Sequence, residues 1–197
     1  MKGPRGTSTT ASMDPLISSQ RGALEWDFFA RPALRVARAL LGQVLVHGAH
    51  RGRIVEVEAY LGPHDLACHS SKGRTARTEV MFGAPGHAYV YLIYGLHHCF
   101  NVVTGRGAAV LIRGLEPLTA IAGRTDGPGR LTRALGLTRA HDRLPLTGPA
   151  LWLERAAPVP SSAVRRGPRI GVDYAGVWAA RPYRLWIAGN PFVSRGA

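Results

Sequence analysis

Lysine is almost missing from this chain of 197 residues; Lys2 and Lys72 are the only two. Chemistry that runs through a lysine Schiff base is confined to those two positions. Cysteine is as scarce. Cys68 and Cys99 are too few for a disulfide framework, and no leader with an apolar core opens the sequence, so the expected setting is reducing and cytoplasmic. No apolar run approaches the roughly 20 residues needed to span a bilayer. Without a basic amphipathic helix, peripheral membrane binding is disfavoured too. Acidic residues are the last shortage: 12 against 25 basic ones, a net charge of +13. Biased codon usage accounts for arginine in place of lysine, but not for a twofold excess of basic over acidic residues. That excess calls for a polyanionic partner, and nucleic acid fits it.

What is present reads as a folded domain, since 46% of residues are hydrophobic. Residues 1–22, rich in Ser, Thr, Gly and Pro, are expected to be a flexible tail, and residues 23–197 one domain. In FFARPALRVARALLG, Pro32 suits a first helical position, and Leu34, Val36, Ala37, Leu40 and Leu41 make an apolar face that Gly42 ends. QVLVHG and GRIVEVEAYLG read as strands joined through a turn at Gly48 to Gly52. Pro63 to Gly86 reads as a long loop with short helix, carrying Lys72, Arg74 and Arg77. HAYVYLIYGLHHCFNVVTG is expected to be a hairpin with Tyr94 at its tip, and AAVLIRGLEPL a strand carrying Arg113. In GPGRLTRALGL a glycine-rich turn feeds a helix, with Arg130 and Arg133 in its first turns and backbone N–H groups offered to a phosphate. RPYRLWIAGNPFVS supplies a final strand. The pattern predicts a single α+β domain with a strongly curved, mixed or antiparallel sheet.

The chemistry concentrates in RIVEVEAYLGPHDLACHS. Strand alternation puts Glu56, Glu58 and Tyr60 on one face and Val55, Val57 and Ala59 on the other. A carboxylate beside an aromatic ring suits a general base, and two carboxylates about 6 to 7 Å apart also suit the hydrolysis of a sugar bond. Spacing alone favours a plainer alternative, two glutamates paired with arginines on an exposed face, and it does not rank the two. His64, His69, His97, His98 and both cysteines carry metal-binding atoms, but neighbouring strand residues point to opposite faces and no metal is expected. Tyr94 stands where an aromatic is exposed unless something receives it, as a gap between DNA base steps would.

IVEVEAYLGPHDLACHS, with MFGAPGHAYVYLIYGLHHCFNVVTG, AAVLIRGLEPL, GPGRLTRALGL and RIGVDYAG followed by GNPFVS, resembles the alkyladenine (3-methyladenine) DNA glycosylase family from Phe28 to Ser194. The resemblance implies an α+β fold with a curved, mostly antiparallel sheet and surrounding helices, like the C-terminal domain of methionyl-tRNA formyltransferase. It implies a monofunctional glycosylase that flips damaged purines (3-methyladenine, 7-methylguanine, hypoxanthine, ethenoadenine) out of duplex DNA and hydrolyses the N-glycosidic bond. By it Glu58 is the general base and Glu56 its neighbour. Tyr60, His69 and Tyr91 stack on the flipped base, Ala67 contacts it through its carbonyl, and Asn101 excludes normal purines bearing an exocyclic amine. Arg113 lies near the water and the DNA backbone, and Tyr94 intercalates. Lys72, Arg74, Arg77 and Arg130 are expected on the DNA backbone. No cofactor, metal, membrane or obligate protein partner is implied; the protein is expected to act as a cytoplasmic, nucleoid-associated monomer on double-stranded DNA. Neither lysine falls in the expected pocket, which favours direct attack by water. Thr78 stands where the family pattern has asparagine, and Leu66 and Cys68 flank Ala67 in a way that bears on pocket shape. The competing class is a nucleic-acid-binding domain without catalysis.

Overall fold

Pro32 decides how the described part of the chain begins. A residue before proline is pushed out of the helical region, so the helical run breaks at Arg31. In the computed structural model, which describes residues 22–194, a one-turn helix α1 (Trp26–Phe29) is followed by α2 (Ala33–Leu40). Pro32 caps α2 from an extended conformation rather than taking its first helical position, and Phe28 and Phe29 belong to the separate turn. Residues 1–21, most of the expected tail, lie outside the described residues.

Eight strands follow: β1 (Val44–His47), β2 (His50–Tyr60), β3 (Ala88–Ile93), β4 (His97–Gly105), β5 (Ala108–Pro117), β6 (Leu151–Glu154), β7 (Val164–Gly167) and β8 (Arg184–Ile187). A third helix, α3 (Pro128–Leu135), lies between β5 and β6. All strand pairs are antiparallel, in the order β3-β4-β5-β2-β1-β6, with β8 on β2 and β7 on β8. The result is a curled antiparallel sheet in a single α+β domain. The long β2 sets the curl: on one edge it pairs with β5, while on the other it pairs first with β1 and then, from Glu56 to Glu58, with β8. The β1–β2 turn is tighter than expected, because His50 to Gly52 are already paired. The short strands β6 and β7 carried no sequence signal that singled them out.

Alternation along the strands gives the sheet two buried faces. Ala88, Val90, Phe100, Val102, Val110 and Ile112 pack with Val36, Ala37 and Leu40 of α2 and with Leu131 and Leu135 of α3. Their neighbours Tyr89, Tyr91, Cys99, Val103, Ala109 and Leu111 face the other way, under Cys68, Val80 and Met81 from the 61–86 loop. That loop is two short 3-10 helices, His69–Lys72 and Glu79–Phe82, tied down by side chains. Ser70 donates to the Gly107 carbonyl at 2.7 Å. Thr78 is buried, donates to the Gly73 carbonyl at 2.9 Å and accepts from the Thr75 N–H at 2.9 Å. A threonine at this position thus closes its own turn.

One strand departs from simple alternation. Ile54 pairs with Leu115, Glu56 with Gly114 and Val57 with Ile112, so Val55 is an extra residue on β2 and Arg113 an extra residue on β5. Ile54, Val57 and Ala59 share the main core, whereas Val55 is buried outside it, contrary to the alternating expectation. The paired bulges re-aim side chains. Gly114 allows the close approach: a Cβ there would stand 2.6 Å from the Phe192 carbonyl oxygen.

Candidate active site

The bulge turns Arg113 in between the two glutamates. Its Nε donates to Glu56 Oε1 at 3.0 Å, its Nη1 lies 3.2 Å from Glu58 Oε1, and its Nη2 donates to Ser194 Oγ at 3.2 Å. Both glutamate side chains are fully buried, so the exposed ion-pair expectation is corrected: the arginine partners exist, but inside the protein. A desolvated charge is tolerated only with such partners.

The two carboxylates are held by different donors. Glu56 accepts from Arg113 Nε, Arg184 Nε at 2.6 Å, the Ser194 hydroxyl at 2.8 Å and the Ser194 N–H at 2.6 Å. Three of these donors fall on Oε1 and one, the Ser194 N–H, on Oε2, and two of the four are guanidiniums. Glu58 has three: the Ile170 N–H at 2.8 Å, Arg113 Nη1, and the Tyr60 hydroxyl, which donates to Oε2 at 2.8 Å. One acceptor site remains on Oε2. Burial pushes the Glu58 carboxyl above the ordinary carboxylate range, against the pull of Arg113, the Ile170 N–H and the Tyr60 hydroxyl. The two carboxylates thus differ in their partners: two guanidiniums meet Glu56, whereas Glu58 shares one of them and bonds Tyr60.

Over this carboxylate lies a cavity of about 260 Å³. Tyr60, Ala67, His69, Tyr91, Tyr94, Asn101 and Arg113, seven of the residues expected in the site, all line it. Glu58 lies just behind the wall, reached through Tyr60, Arg113 and Ile170. His69 and Tyr91 meet with ring centroids 4.6 Å apart at 67°, so these two pack edge to face rather than as parallel plates. His69 Nδ1 is 2.9 Å from the Tyr89 hydroxyl. Burial, then the charges of Arg77 and Lys72, lower the His69 pKa to about 4, so the ring is neutral near pH 7. Burial raises the phenols of Tyr60 and Tyr91, which stay protonated. Asn101 is fixed by donating to the Tyr89 carbonyl at 3.0 Å. The Ala67 carbonyl accepts from Tyr174 at 3.3 Å. Tyr94 sits at the β3–β4 turn with φ of 51°, a strained value for a bulky residue, and is 83% exposed. Cys68 and Cys99 line the cavity as free thiols, raised by burial, and Leu66 points out to solvent.

All four expected backbone-contact residues are exposed, and three of them also make a contact within the protein. The Arg74 guanidinium lies 5.1 Å from the centre of the Phe82 ring. Arg130 lies 3.2 Å from Asp126 at the start of α3, and Arg77 lies over the Tyr91 ring at 4.9 Å. Among the described residues no group of three or more His, Cys, Asp or Glu side chains is close enough to hold a metal, and no helix is long and apolar enough to cross a membrane.

Two residues had no sequence signal. Asp65 and Arg169, 104 positions apart, form a fully buried pair. Arg169 Nη2 donates to Asp65 Oδ1 at 2.9 Å, and Nη1 donates to the Ala59 carbonyl at 3.0 Å. Its guanidinium lies 4.8 Å from the centre of the Tyr60 ring. Asp65 also accepts the N–H groups of Leu61 and Ala67 at 3.0 and 3.1 Å. The pair therefore fixes Tyr60 and the Ala67 segment together.

A family model described as methylpurine-DNA glycosylase matches residues 27–191. A Myxococcus xanthus protein named "Putative 3-methyladenine DNA glycosylase" is 65% identical over 178 residues, 86% of this chain and 92% of that protein. Proteins of the same name from Anaeromyxobacter dehalogenans (strain 2CP-1) and Legionella pneumophila (strain Corby) are 54% and 51% identical, over 85% of this chain and 83% and 96% of theirs.

Proposed function

Because the chain belongs to the methylpurine-DNA glycosylase family and is accordingly a hydrolase of the DNA glycosylase type, we propose that it excises alkylated and deaminated purines turned out of duplex DNA into the 260 Å³ cavity. The target base stacks against Tyr60, His69 and Tyr91, and Tyr94 fills the gap left in the duplex. Turning a base out costs a few kcal/mol, least for a damaged or mispaired one, so selection starts before the pocket is reached. Ala67 offers the base its carbonyl once Tyr174 yields it, and Asn101 stands against an exocyclic amine.

A water held on the free acceptor site of Glu58 Oε2 attacks the sugar carbon as the C–N bond breaks. The electron pair of that bond leaves with the purine nitrogen, the water oxygen bonds to carbon, and Glu58 takes the water proton. The buried carboxylate also opposes the positive charge that builds on the sugar. An alkylated base leaves as a neutral molecule because it starts as a cation. A neutral base such as hypoxanthine leaves well only if its negative charge is neutralised.

The observation that supports this reading most is where the partners of the two carboxylates sit: Tyr60, Arg113 and Ile170, which hold Glu58, all line the cavity, whereas Arg184 and Ser194, which hold Glu56, do not. Duplex DNA with a single hypoxanthine or ethenoadenine, incubated with the protein and then treated with alkali, reveals abasic sites. The wild type should give them, and Glu58→Gln should be slower by about 10² to 10⁴. Wild-type activity should fall on the acid side through a pKa above the ordinary carboxylate value, and Glu58→Gln should lack that limb. Equal cleavage by the two proteins would remove Glu58 from the mechanism, and trapping of an enzyme–DNA adduct by borohydride would replace water with an amine.

A further inference from the structure

Two of the cavity's aromatic walls are backed by arginine. Arg169 lies 4.8 Å from the centre of Tyr60 and Arg77 4.9 Å from the centre of Tyr91. Neither arginine is part of the cavity wall, so each acts on the cavity through a ring. Their charge environments are opposite. Arg169 is fully buried and neutralised by its pairing with Asp65. Arg77 makes no ion pair with any carboxylate among the described residues; Glu79, two positions on, lies 3.9 Å from Arg143 instead. Elsewhere around the cavity the charges cancel, since Glu56 and Glu58 are matched by Arg113 and Arg184. The Tyr91 wall alone carries an uncompensated cation, and Lys72 lies on the same loop.

We infer that Arg77 is a specificity-determining residue, whose guanidinium behind Tyr91 biases the cavity toward neutral damaged purines and against cationic ones. A cation on one face of an aromatic ring draws on the same negative quadrupole that the other face would offer to a cationic base. It also repels that base directly, across less than about one Debye length, though its exposure to solvent weakens the effect. For a neutral purine the sign reverses. As the C–N bond breaks and its electron pair moves onto the base, negative charge grows next to a fixed positive one. Burial is the main cause of the lowered His69 pKa, and the Arg77 charge, next in size, acts on that cavity wall in the same sense.

The inference rests on the excision of purines proposed above, and the test separates the two. Duplexes with a single 7-methylguanine, which is cationic, and a single hypoxanthine, which is neutral, are compared under single-turnover conditions with excess protein. Arg77 is exposed and its loop is held by Ser70 and Thr78, so Arg77→Leu is expected to fold, which a thermal melt checks. The ratio of the 7-methylguanine rate to the hypoxanthine rate should rise about three- to tenfold in Arg77→Leu, mainly through a slower hypoxanthine reaction, and Arg77→Lys should keep most of the wild-type ratio. Should Arg77→Leu not fold, Arg77→Gln takes its place with the same expectation. If Arg77 only held a DNA phosphate, both rates would fall together, the ratio would stay fixed and the inference would be overturned. Should the wild type excise neither base, the proposed function fails first and this inference falls with it.

Discussion

At the scale of single residues, the site is set by which donors meet which carboxylate. Glu56 is held by two guanidiniums and Ser194, whereas Glu58 shares Arg113 and takes its other donors from Tyr60 and Ile170 in the cavity wall. His69 shows the same dependence on surroundings through a proton. Its folded pKa of about 4 lies below the ordinary 6.5, with burial the main cause and Arg77 and Lys72 adding to it. An unfolded chain takes up this proton as pH falls through about 6.5, while the folded one stays neutral until about 4. Between those values the unfolded state binds more protons, so stability drops as pH drops and levels off below the folded pKa. The full gap corresponds to no more than about 3 kcal/mol, less what solvent screening removes from a ring that is only partly buried. His69→Phe keeps an aromatic wall and loses the titration. Urea denaturation at pH 7 and pH 4.5 should show a smaller loss of stability for the variant than for the wild type, and equal losses would mean that the His69 ring titrates normally in the folded protein.

At the scale of elements, the clamp between the 61–86 loop and the segment after β7 matters most. Arg169 and Ile170 are consecutive, yet one holds the Tyr60 ring and Asp65 while the other donates to Glu58. Removing one partner of a fully buried pair leaves an uncompensated charge, so Arg169→Met should destabilise the fold by about 3 to 5 kcal/mol. Asp65→Asn combined with Arg169→Met should recover part of that loss, because the stranded charge is gone. A denaturation double-mutant cycle measures it, and strictly additive effects would show that the two residues do not act as a pair. This clamp was illegible in the sequence for a physical reason. Alternation is a local signal and correctly put Glu58 and Tyr60 on one side of β2, the hairpin around Tyr94 and the strand of Arg113. The bulge that expels Val55 and inserts Arg113 exists only when β2 and β5 pair, and the Asp65–Arg169 contact only when the whole sheet has curled. The residues proposed to bind the base were named through family resemblance, not through spacing. Their convergence on one cavity is what the fold adds.

At the scale of the whole molecule, the shortage of acidic residues has a sharper meaning than net charge alone. Three of the 12 acids, Glu56, Glu58 and Asp65, are buried against Arg113, Arg184 and Arg169, so these six charges cancel inside the protein. The excess of +13 is therefore carried by the remaining residues, among them exposed Lys72 and Arg74 beside the cavity. Binding to DNA by such a surface releases counterions from the phosphates, and the affinity falls with salt by a slope of about −0.9 per phosphate neutralised. Replacing Lys72 and Arg74 together by glutamine should make the slope of log K against log salt shallower by about 1.8. The loss of affinity should then be large at low salt and shrink as salt is raised. Arg77→Leu should change the slope much less if the inferred role of its guanidinium, which lies over the Tyr91 ring, holds. Fluorescence anisotropy of a labelled duplex across a salt series measures all three proteins. An unchanged slope in the Lys72 and Arg74 variant would turn that loop away from DNA, and a full unit lost in Arg77→Leu would return Arg77 to the backbone contact expected from the sequence.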